Sequence, residues 1–576
     1  MRMRYIHIKE YPPLQDVEIC FSSEPLLNRE CAIRFVVGVN GSGKSNLLRA
    51  ITEVFLALAD QRPPHFPVSL VYELGREKQK RTIVLECPGS RAASSLWIAD
   101  GFAWPVDTSA ETFSNVIERL RTNDDPPAAF KPLISPGNWP SGSTTPLAIA
   151  LPRAVLAYTT GDLKPWHELW RRGQDTSGIE ISSQKPEYDF GNELPADWSK
   201  ELESALPETT EEKRGGAFSS GFSNAFDIGK TVPAAWRPIL VNPLLLKCAL
   251  LAVALPHGLE EISGNLSKSR KGNPDSSKLL DLLARGCWKK PVTISFRMNY
   301  KINTWRELEA RRAREWILSA GEVISEPKTS YRTLYFDKRG PFSATALEGY
   351  TNNDELLLAK NQGEALIALL GGFKISPYDR FERLKELIES GFIEDIRIGV
   401  SRTDMSDVLR FDEFSDGEQM VLGRMALFQL LANEDDAFLL LDEPETHFND
   451  KWKREIVDII DSAIGRTAND VLIATHTAIV LTDVFNDEIV LMERQDNNAK
   501  ARTVKDNTFA SDPSEVMIRV FGAEDSVGQR AREYIETLLK QTHGSPDDIR
   551  RLITLVERLG SGFYRTELRT LLKQWE

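Results

Sequence analysis

Cysteine is scarce. Five residues, Cys20, Cys31, Cys87, Cys248 and Cys287, are scattered through 576 positions, and no two form a C-x-x-C pair. That excludes a disulfide framework and a zinc-site spacing, and it fits a reducing cytosol. Long apolar runs are missing as well. The most apolar stretch, residues 244–255, contains Lys247 and reaches about half a membrane span. It predicts a buried helix in a soluble, cytoplasmic chain with no membrane partner. The opening residues 1–8 alternate as a strand does and contain no apolar core of signal-peptide length. Positive charge is in the minority: 71 Lys and Arg against 84 Asp and Glu, a net charge of −13. That mean field excludes a general nucleic-acid binder. It leaves Lys268-Ser269-Arg270-Lys271 and Arg311-Arg312-Ala313-Arg314 as local candidates for DNA contact, although such runs are more often solvated faces. Sustained heptads are absent, so no long coiled-coil arm is expected.

What is present centres on residues 438–443, Phe-Leu-Leu-Leu-Asp-Glu. Four apolar residues read as a central buried strand. It delivers two acids, Asp442 and Glu443, to the crevice beyond the sheet's C-terminal edge. Asp442 is the candidate magnesium ligand, and Glu443 is the candidate group that orients or deprotonates an attacking water.

Almost four hundred residues earlier, Ala32-Ile33-Arg34-Phe35-Val36-Val37 reads as a strand running into Gly38-Val39-Asn40-Gly41-Ser42-Gly43-Lys44-Ser45. This fits G-x-x-x-x-G-K-[ST] at every position, and Asn46–Ile51 continues it as a helix. Strand, glycine loop and helix is the context the motif requires. The glycines let backbone N–H groups approach phosphates, where the helix N-terminus adds positive potential. Asn40, Gly41, Ser42, Gly43, Lys44, Ser45 and Asn46 are therefore the candidate nucleotide-binding residues. Lys44 would reach the β/γ-phosphates, and Ser45 would offer its hydroxyl to magnesium.

Two further motifs complete a pattern. Phe414-Ser415-Asp416-Gly417-Glu418-Gln419 precedes an apolar helix and resembles the signature loop of ABC-type ATPases, with Ser415, Asp416, Gly417 and Glu418 as its core. His476 ends the buried strand Val471–Thr475 and resembles the switch histidine of that superfamily. Pro444-Glu445-Thr446-His447-Phe448-Asn449 resembles the E-x-H segment of its OLD, RecF-like and defence-associated branch. The resemblance implies ATP and Mg2+ as cofactors. It also implies a homodimer or higher homo-oligomer in which each signature serves the partner's nucleotide, with Lys44, Glu443 and His476 catalytic. The family's glutamine loop would follow Ala154–Tyr158, but no glutamine stands there; Thr159 or Thr160 is the candidate substitute.

The expected fold is α/β: an ABC-type head with a mixed sheet and an antiparallel β subdomain, a large and mainly helical insertion, and a small helical C-terminal region. The expected boundaries are 1–165 and 393–500 for the two parts of the head, 166–392 for the insertion and 501–576 for the tail. Residues 122–146 and 171–235 read as connector or loop. Helical patterns cover 242–256, 276–287, 304–320, 353–370 and 379–391, with strands near 291–298, 331–336, 394–400 and 407–411.

Three classes of function compete. A transporter ATPase is disfavoured by the E-x-H segment, the missing glutamine and the long insertion. A self-contained nuclease of the OLD type would need an acidic domain after the head. Only about a hundred residues follow His476, with no glutamate-bearing strand leading to D-x-D, and the seven histidines are dispersed without an HNH site. An ATP-driven switch acting on a separate effector remains. Here the chain most resembles the PtuA-like ATPases of Septu and retron anti-phage systems over residues 1–60 and 410–495. That resemblance implies a partner HNH nuclease (PtuB-like) and, in retrons, a reverse transcriptase with its RNA–DNA product. The alternatives are a RecF- or OLD-like DNA-processing ATPase and an ATPase paired with a different toxin or effector.

Overall fold

The computed structural model describes residues 1–575 apart from 22–26, 28, 77–78, 91, 103, 105–107, 123–125, 140–146, 175–235, 257–287, 301–306, 404–406, 496–497 and 526. The connector expected over 171–235, the helix expected over 276–287 and the basic run 268–271 fall largely or wholly outside the described residues. The first strands are β1 (Arg2–Tyr11), β2 (Leu14–Cys20), β3 (Ala32–Val37), β4 (Val68–Leu74), β5 (Arg81–Cys87) and β6 (Ser95–Asp100). Next come β7 (Lys131–Ile134), β8 (Ala154–Thr159), β9 (Ile239–Val241), β10 (Trp288–Asn299), β11 (Glu322–Ser325) and β12 (Tyr331–Asp337). The last are β13 (Ile393–Arg402), β14 (Val408–Arg410), β15 (Ala437–Asp442), β16 (Asp470–Thr475), β17 (Ile489–Gln495) and β18 (Asn498–Thr503).

They form the mixed α/β architecture expected, with parallel and antiparallel sheets. The seven-stranded sheet has the order β18-β17-β3-β16-β15-β8-β9 and is parallel except for the β17–β18 hairpin. Its central strands β3, β8, β15 and β16 are buried along their whole length. This burial on both faces explains why they read as unbroken apolar runs rather than as alternation. A six-stranded antiparallel sheet, β2-β1-β4-β5-β6-β7, is the second layer. The helix Lys44–Ala59 lies between the two sheets, where Leu47, Ile51, Phe55 and Leu58 join Ile6, Leu70 and Leu85 on one side and Phe438, Leu440 and Leu472 on the other in one core. Arg34 of β3 ties the layers together: its guanidinium donates to the Met3 carbonyl and to Asp470, both at 2.8 Å.

The stretch expected as connector over 122–146 contains β7, which closes the edge of the antiparallel sheet. An edge position tolerates Pro132, which a central strand would not, while Phe130 and Ile134 are buried.

The inserted region carries a third sheet, β11-β12-β10-β13-β14, antiparallel throughout. It pairs β10 with β13 across position 392, the boundary expected between insertion and head. The helix Glu307–Ser319 packs Trp316 against Phe296, Phe336 and Phe392 of this layer. The helix expected over 353–370 is two, Asp354–Leu358 and Gln362–Leu369, because Ala359 is extended and Asn361 caps a fresh start. The apolar stretch forms the helix Pro243–Ala254, buried as expected. It packs on the helix Asp416–Leu430 at Gly423, where a Cβ would stand 3.0 Å from that of Leu246. A side chain at 423 would push Leu246 aside by a few tenths of an ångström, so the glycine lets the two helices pack closely. Arg380, fully buried, donates to the carbonyls of Ala252 in the last turn of that helix and of Leu255 and Pro256 just beyond it, where no intrahelical partner is available.

Contacts divide the chain into two units, Met1–Phe509 and Ala510–Glu576. The second is helical, with Gln529–Gln541, Pro546–Arg558 and Phe563–Trp575 enclosing Ile535, Leu552, Val556, Leu568 and Leu572. Among the described residues no helix is long and apolar enough to cross a membrane.

Candidate active site

β3 ends at Val37 and the chain turns at once. Gly38 has φ 149°, and a Cβ there would fall 2.2 Å from the Met492 carbonyl oxygen, so the turn needs glycine. The helix Lys44–Ala59 then begins. Its first amides have no partners within the helix. Lys44 is buried, and its ammonium donates to the carbonyls of Gly38 at 2.8 Å and Val39 at 3.2 Å. Burial pushes its pKa down, opposed by the charges of Glu443, Asp442 and Glu445.

Parallel pairing places three strand ends side by side. Asp442 pairs with Thr159 of β8 and with Ala474 of β16. Ser45 donates to one carboxylate oxygen of Asp442 at 2.9 Å, and Thr159 donates to the other at 3.1 Å. Burial pushes the Asp442 carboxyl pKa up, and those two hydroxyls pull it back. Thr159 thus occupies the place where the expected glutamine is missing, and Thr160 donates instead to the Glu443 carbonyl at 3.1 Å.

Glu443 has φ 51°, in the left-handed region. Its backbone is held on three sides: its N–H donates to Ala474 O, and its carbonyl accepts from Thr160 and from the Thr446 amide. The turn aims the carboxylate at His476, whose Nδ1 lies 3.0 Å from Oε1. Both side chains reach solvent.

Glu445, 1 % exposed, lies beneath that pair. Its Oε1 accepts from the hydroxyls of Thr475 and Thr477, the latter at 2.9 Å. The Thr475 hydroxyl in turn accepts the Thr477 amide at 3.0 Å. His447 has φ 70°, and its carbonyl stands 3.0 Å from where a Cβ on Gly417 would lie. The E-x-H segment therefore reaches the switch strand through its acid and the signature through its histidine backbone.

At the signature, Ser415 caps the helix Asp416–Leu430 and forms a reciprocal box with Glu418. The Glu418 carboxylate accepts from the Ser415 amide at 3.2 Å, its hydroxyl at 2.8 Å, and Arg402 at 2.7 Å. Ser415 and Asp416 are exposed. About two turns further along the same helix, Arg424 is buried. It donates to the Tyr158 hydroxyl and the Thr446 carbonyl, and stacks on Phe448.

Lys44, Ser45, Asp442, Glu443 and His476 thus meet at one sheet edge, with Gly41, Ser42, Gly43 and Asn46 in the same loop and first turn. Asn46 accepts from Arg49, and Asn40 and Gly41 are exposed at the loop tip. Ser415–Glu418 form a separate helix start. Sequence reasoning missed Arg424 and Tyr158, whose pairing is tertiary. It also missed Arg494 of β17, whose Nη1 approaches to 3.9 Å of a Cβ position on Gly41. Nothing local marks any of the three.

Hard oxygen donors from Ser45, Asp442 and Thr159 suit magnesium. A lysine already folded over backbone carbonyls, beside uncommitted helix amides, suits phosphate. The residues present fit a bound Mg–nucleotide.

Residues 382–482 match the model of the family described as "AAA domain, putative AbiEii toxin, Type IV TA system". The chain carries a P-loop ATPase domain. The matched segment of this ATPase contains Ser415–Glu418, Asp442, Glu443 and His476, and the glycine loop lies outside it. No curated protein matches the chain. Among solved structures it is similar to the Smc head domain with an extended coiled coil bound to the C-terminal domain of ScpA, derived from Pyrococcus furiosus, at 15% identity and TM-score 0.30, over 87% of this chain and 96% of that one. It is also similar to the SMC head domain from Thermotoga maritima, at 11% identity and TM-score 0.28, over 88% of this chain and all of that one.

Proposed function

We propose that this chain binds and hydrolyses ATP as an ABC-type switch, works as a homodimer, and controls a partner effector nuclease in anti-phage defence, as PtuA-like ATPases do. The observation that carries the reading is the convergence of Lys44, Ser45, Asp442, Glu443 and His476, from three distant stretches of sequence, at the C-terminal edge of one parallel sheet.

Lys44 exchanges its carbonyl partners for phosphate oxygens. Ser45, Asp442 and Thr159 would hold magnesium, which when bound neutralises phosphate charge. Glu443, partly exposed and hydrogen-bonded to His476, accepts the proton of an attacking water, and His476 orients that carboxylate. Ser415 and the amides around Gly417 serve the nucleotide of the partner head, because a helix start favours anions.

The test is biochemical. With magnesium and ATP the purified chain should release phosphate and leave DNA and RNA intact. Co-purified with an HNH protein encoded beside it, it should gain nuclease activity. Cleavage by the lone chain, lost on mutating an acidic cluster but not on Lys44→Ala, overturns the division of labour.

The matched family's description names a putative toxin of a Type IV TA system, and this favours a second reading in which the ATPase pairs with a different toxin or effector. A co-purifying neighbour with no nuclease activity would favour it over the first.

A further inference from the structure

The E-x-H segment has a carboxylate that no step above uses. Glu445 is buried, and its Oε1 receives two hydroxyls, from the residues on either side of His476. Those threonines are also joined to each other through the Thr477 amide, so the backbone loops around the histidine in a closed turn. A hydroxyl that donates to Glu445 must present its lone pairs elsewhere, and for Thr475 that is toward the Thr477 N–H. The carboxylate therefore fixes the rotor that closes the turn. The other oxygen, Oε2, is buried and has no hydrogen-bond partner among the described residues. A buried carboxylate oxygen left in that state is costly, and what offsets the cost is the pair of hydroxyl bonds that Oε1 receives.

We infer that Glu445 is a positioning residue: it clamps Thr475 and Thr477 and so holds the His476 ring within 3.0 Å of Glu443. This rests on the hydrolytic reading of Glu443 and His476, but the clamp itself is a property of the nucleotide-free chain and can be measured there. Displacement of a positioned group by about 1 Å costs on the order of 10²-fold in rate.

Three variants test it. Glu445→Ala removes both acceptor bonds, Glu445→Gln keeps an acceptor oxygen, and Thr477→Val removes one hydroxyl at nearly constant volume. Hydrogen exchange followed by mass spectrometry on peptides covering 471–480, without nucleotide, should accelerate in Glu445→Ala and Thr477→Val and stay near the parent in Glu445→Gln. In turnover, Glu445→Ala should lower kcat about 10- to 100-fold with little change in KM, and Glu445→Gln should restore most of it. Added to His476→Ala, Glu445→Ala should produce no further loss, because the two act as one unit. Unchanged exchange in both Glu445→Ala and Thr477→Val, or full additivity on the His476→Ala background, overturns the inference. If Glu445→Ala fails to fold, Thr477→Val alone decides the exchange arm. A parent chain with no ATP turnover counts against the hydrolytic reading, and the exchange arm still decides whether the clamp exists.

Discussion

At the glycine loop, the helix Lys44–Ala59 begins behind Gly43, which has φ 99° and offers no side chain to its amides. At the signature, the helix Asp416–Leu430 begins behind Ser415, whose hydroxyl accepts the Glu418 amide while the Glu418 carboxylate returns to the Ser415 amide. The first helix start is open and electropositive, with a lysine folded beside it. The second is closed by its own residues, and Arg402 braces the closure. An anion can dock at the first as it stands. At the second it must displace Glu418 from Ser415, or be brought by a partner that makes the exchange favourable. The contrast suits a protein in which nucleotide binding and signature engagement are separate events.

The largest effect should come from breaking the open site. Lys44→Ala removes the loop's side-chain cation and should reduce hydrolysis by at least about 10²-fold, with nucleotide binding lost in titration calorimetry; parent-like binding would place the site elsewhere. Glu443→Gln keeps shape but cannot accept a proton. It should bind ATP, release phosphate about 10²- to 10⁴-fold more slowly, and shift toward dimer mass in light scattering with ATP and magnesium. A chain that stays monomeric there would defeat engagement in trans.

Mixing sharpens the comparison. Lys44→Ala breaks only the open helix start, and Ser415→Arg breaks only the closed one. In randomly paired dimers about a quarter of the sites would combine an intact loop with an intact signature. Phosphate release should return toward that fraction of the parent rate; none at all in a verified mixed dimer would show that the two starts serve one chain.

Acid should separate the two regions. Glu418 is partly buried, which raises its pKa, but the Ser415 bonds and Arg402 outweigh this and hold it below the usual carboxylate range. Its contribution to stability is present above the unfolded pKa and lost as pH falls through the depressed value. Asp442 is shifted up by burial despite its two hydroxyl partners. Its charge therefore costs stability at neutral pH, and that cost is relieved as pH falls through the raised value. Melting of the nucleotide-free protein should show Glu418→Gln below the parent and Asp442→Asn above it at neutral pH, with both gaps closing in acid. The smallest effect belongs to Arg402→Ala. Its partly exposed ion pair contributes about 0–1 kcal/mol, so turnover should change by only a few-fold.

Much of the head could be read in advance. The strands 32–37, 438–442 and 471–475 are apolar runs ending in chemistry, and a strand buried on both faces looks like that whatever its neighbours. What could not be read is adjacency. Thr159 faces Asp442 only because β8 lies beside β15, a pairing of residues 283 positions apart with no local mark. Glu445 was visible as part of a motif, but its two threonines lie at the end of β16 and just beyond it, and hydroxyl bonds of that kind have no periodicity. Likewise, β10 and the hairpin β13–β14 were legible as strands, yet nothing in either announces that they share a sheet.

Glu443 carries a last consequence. A non-glycine residue in the left-handed region costs on the order of 1 kcal/mol or more, and His447 repeats this four residues later. Both conformations persist because the bonds around them over-determine the turn. Glycine at 443 would relax the backbone and stabilise the fold while deleting the carboxylate. Selection for stability and selection for turnover therefore pull position 443 in opposite directions. Variants recovered by thermal screening alone should drift toward small or flexible residues there, and would be the sturdiest and least active molecules in the library.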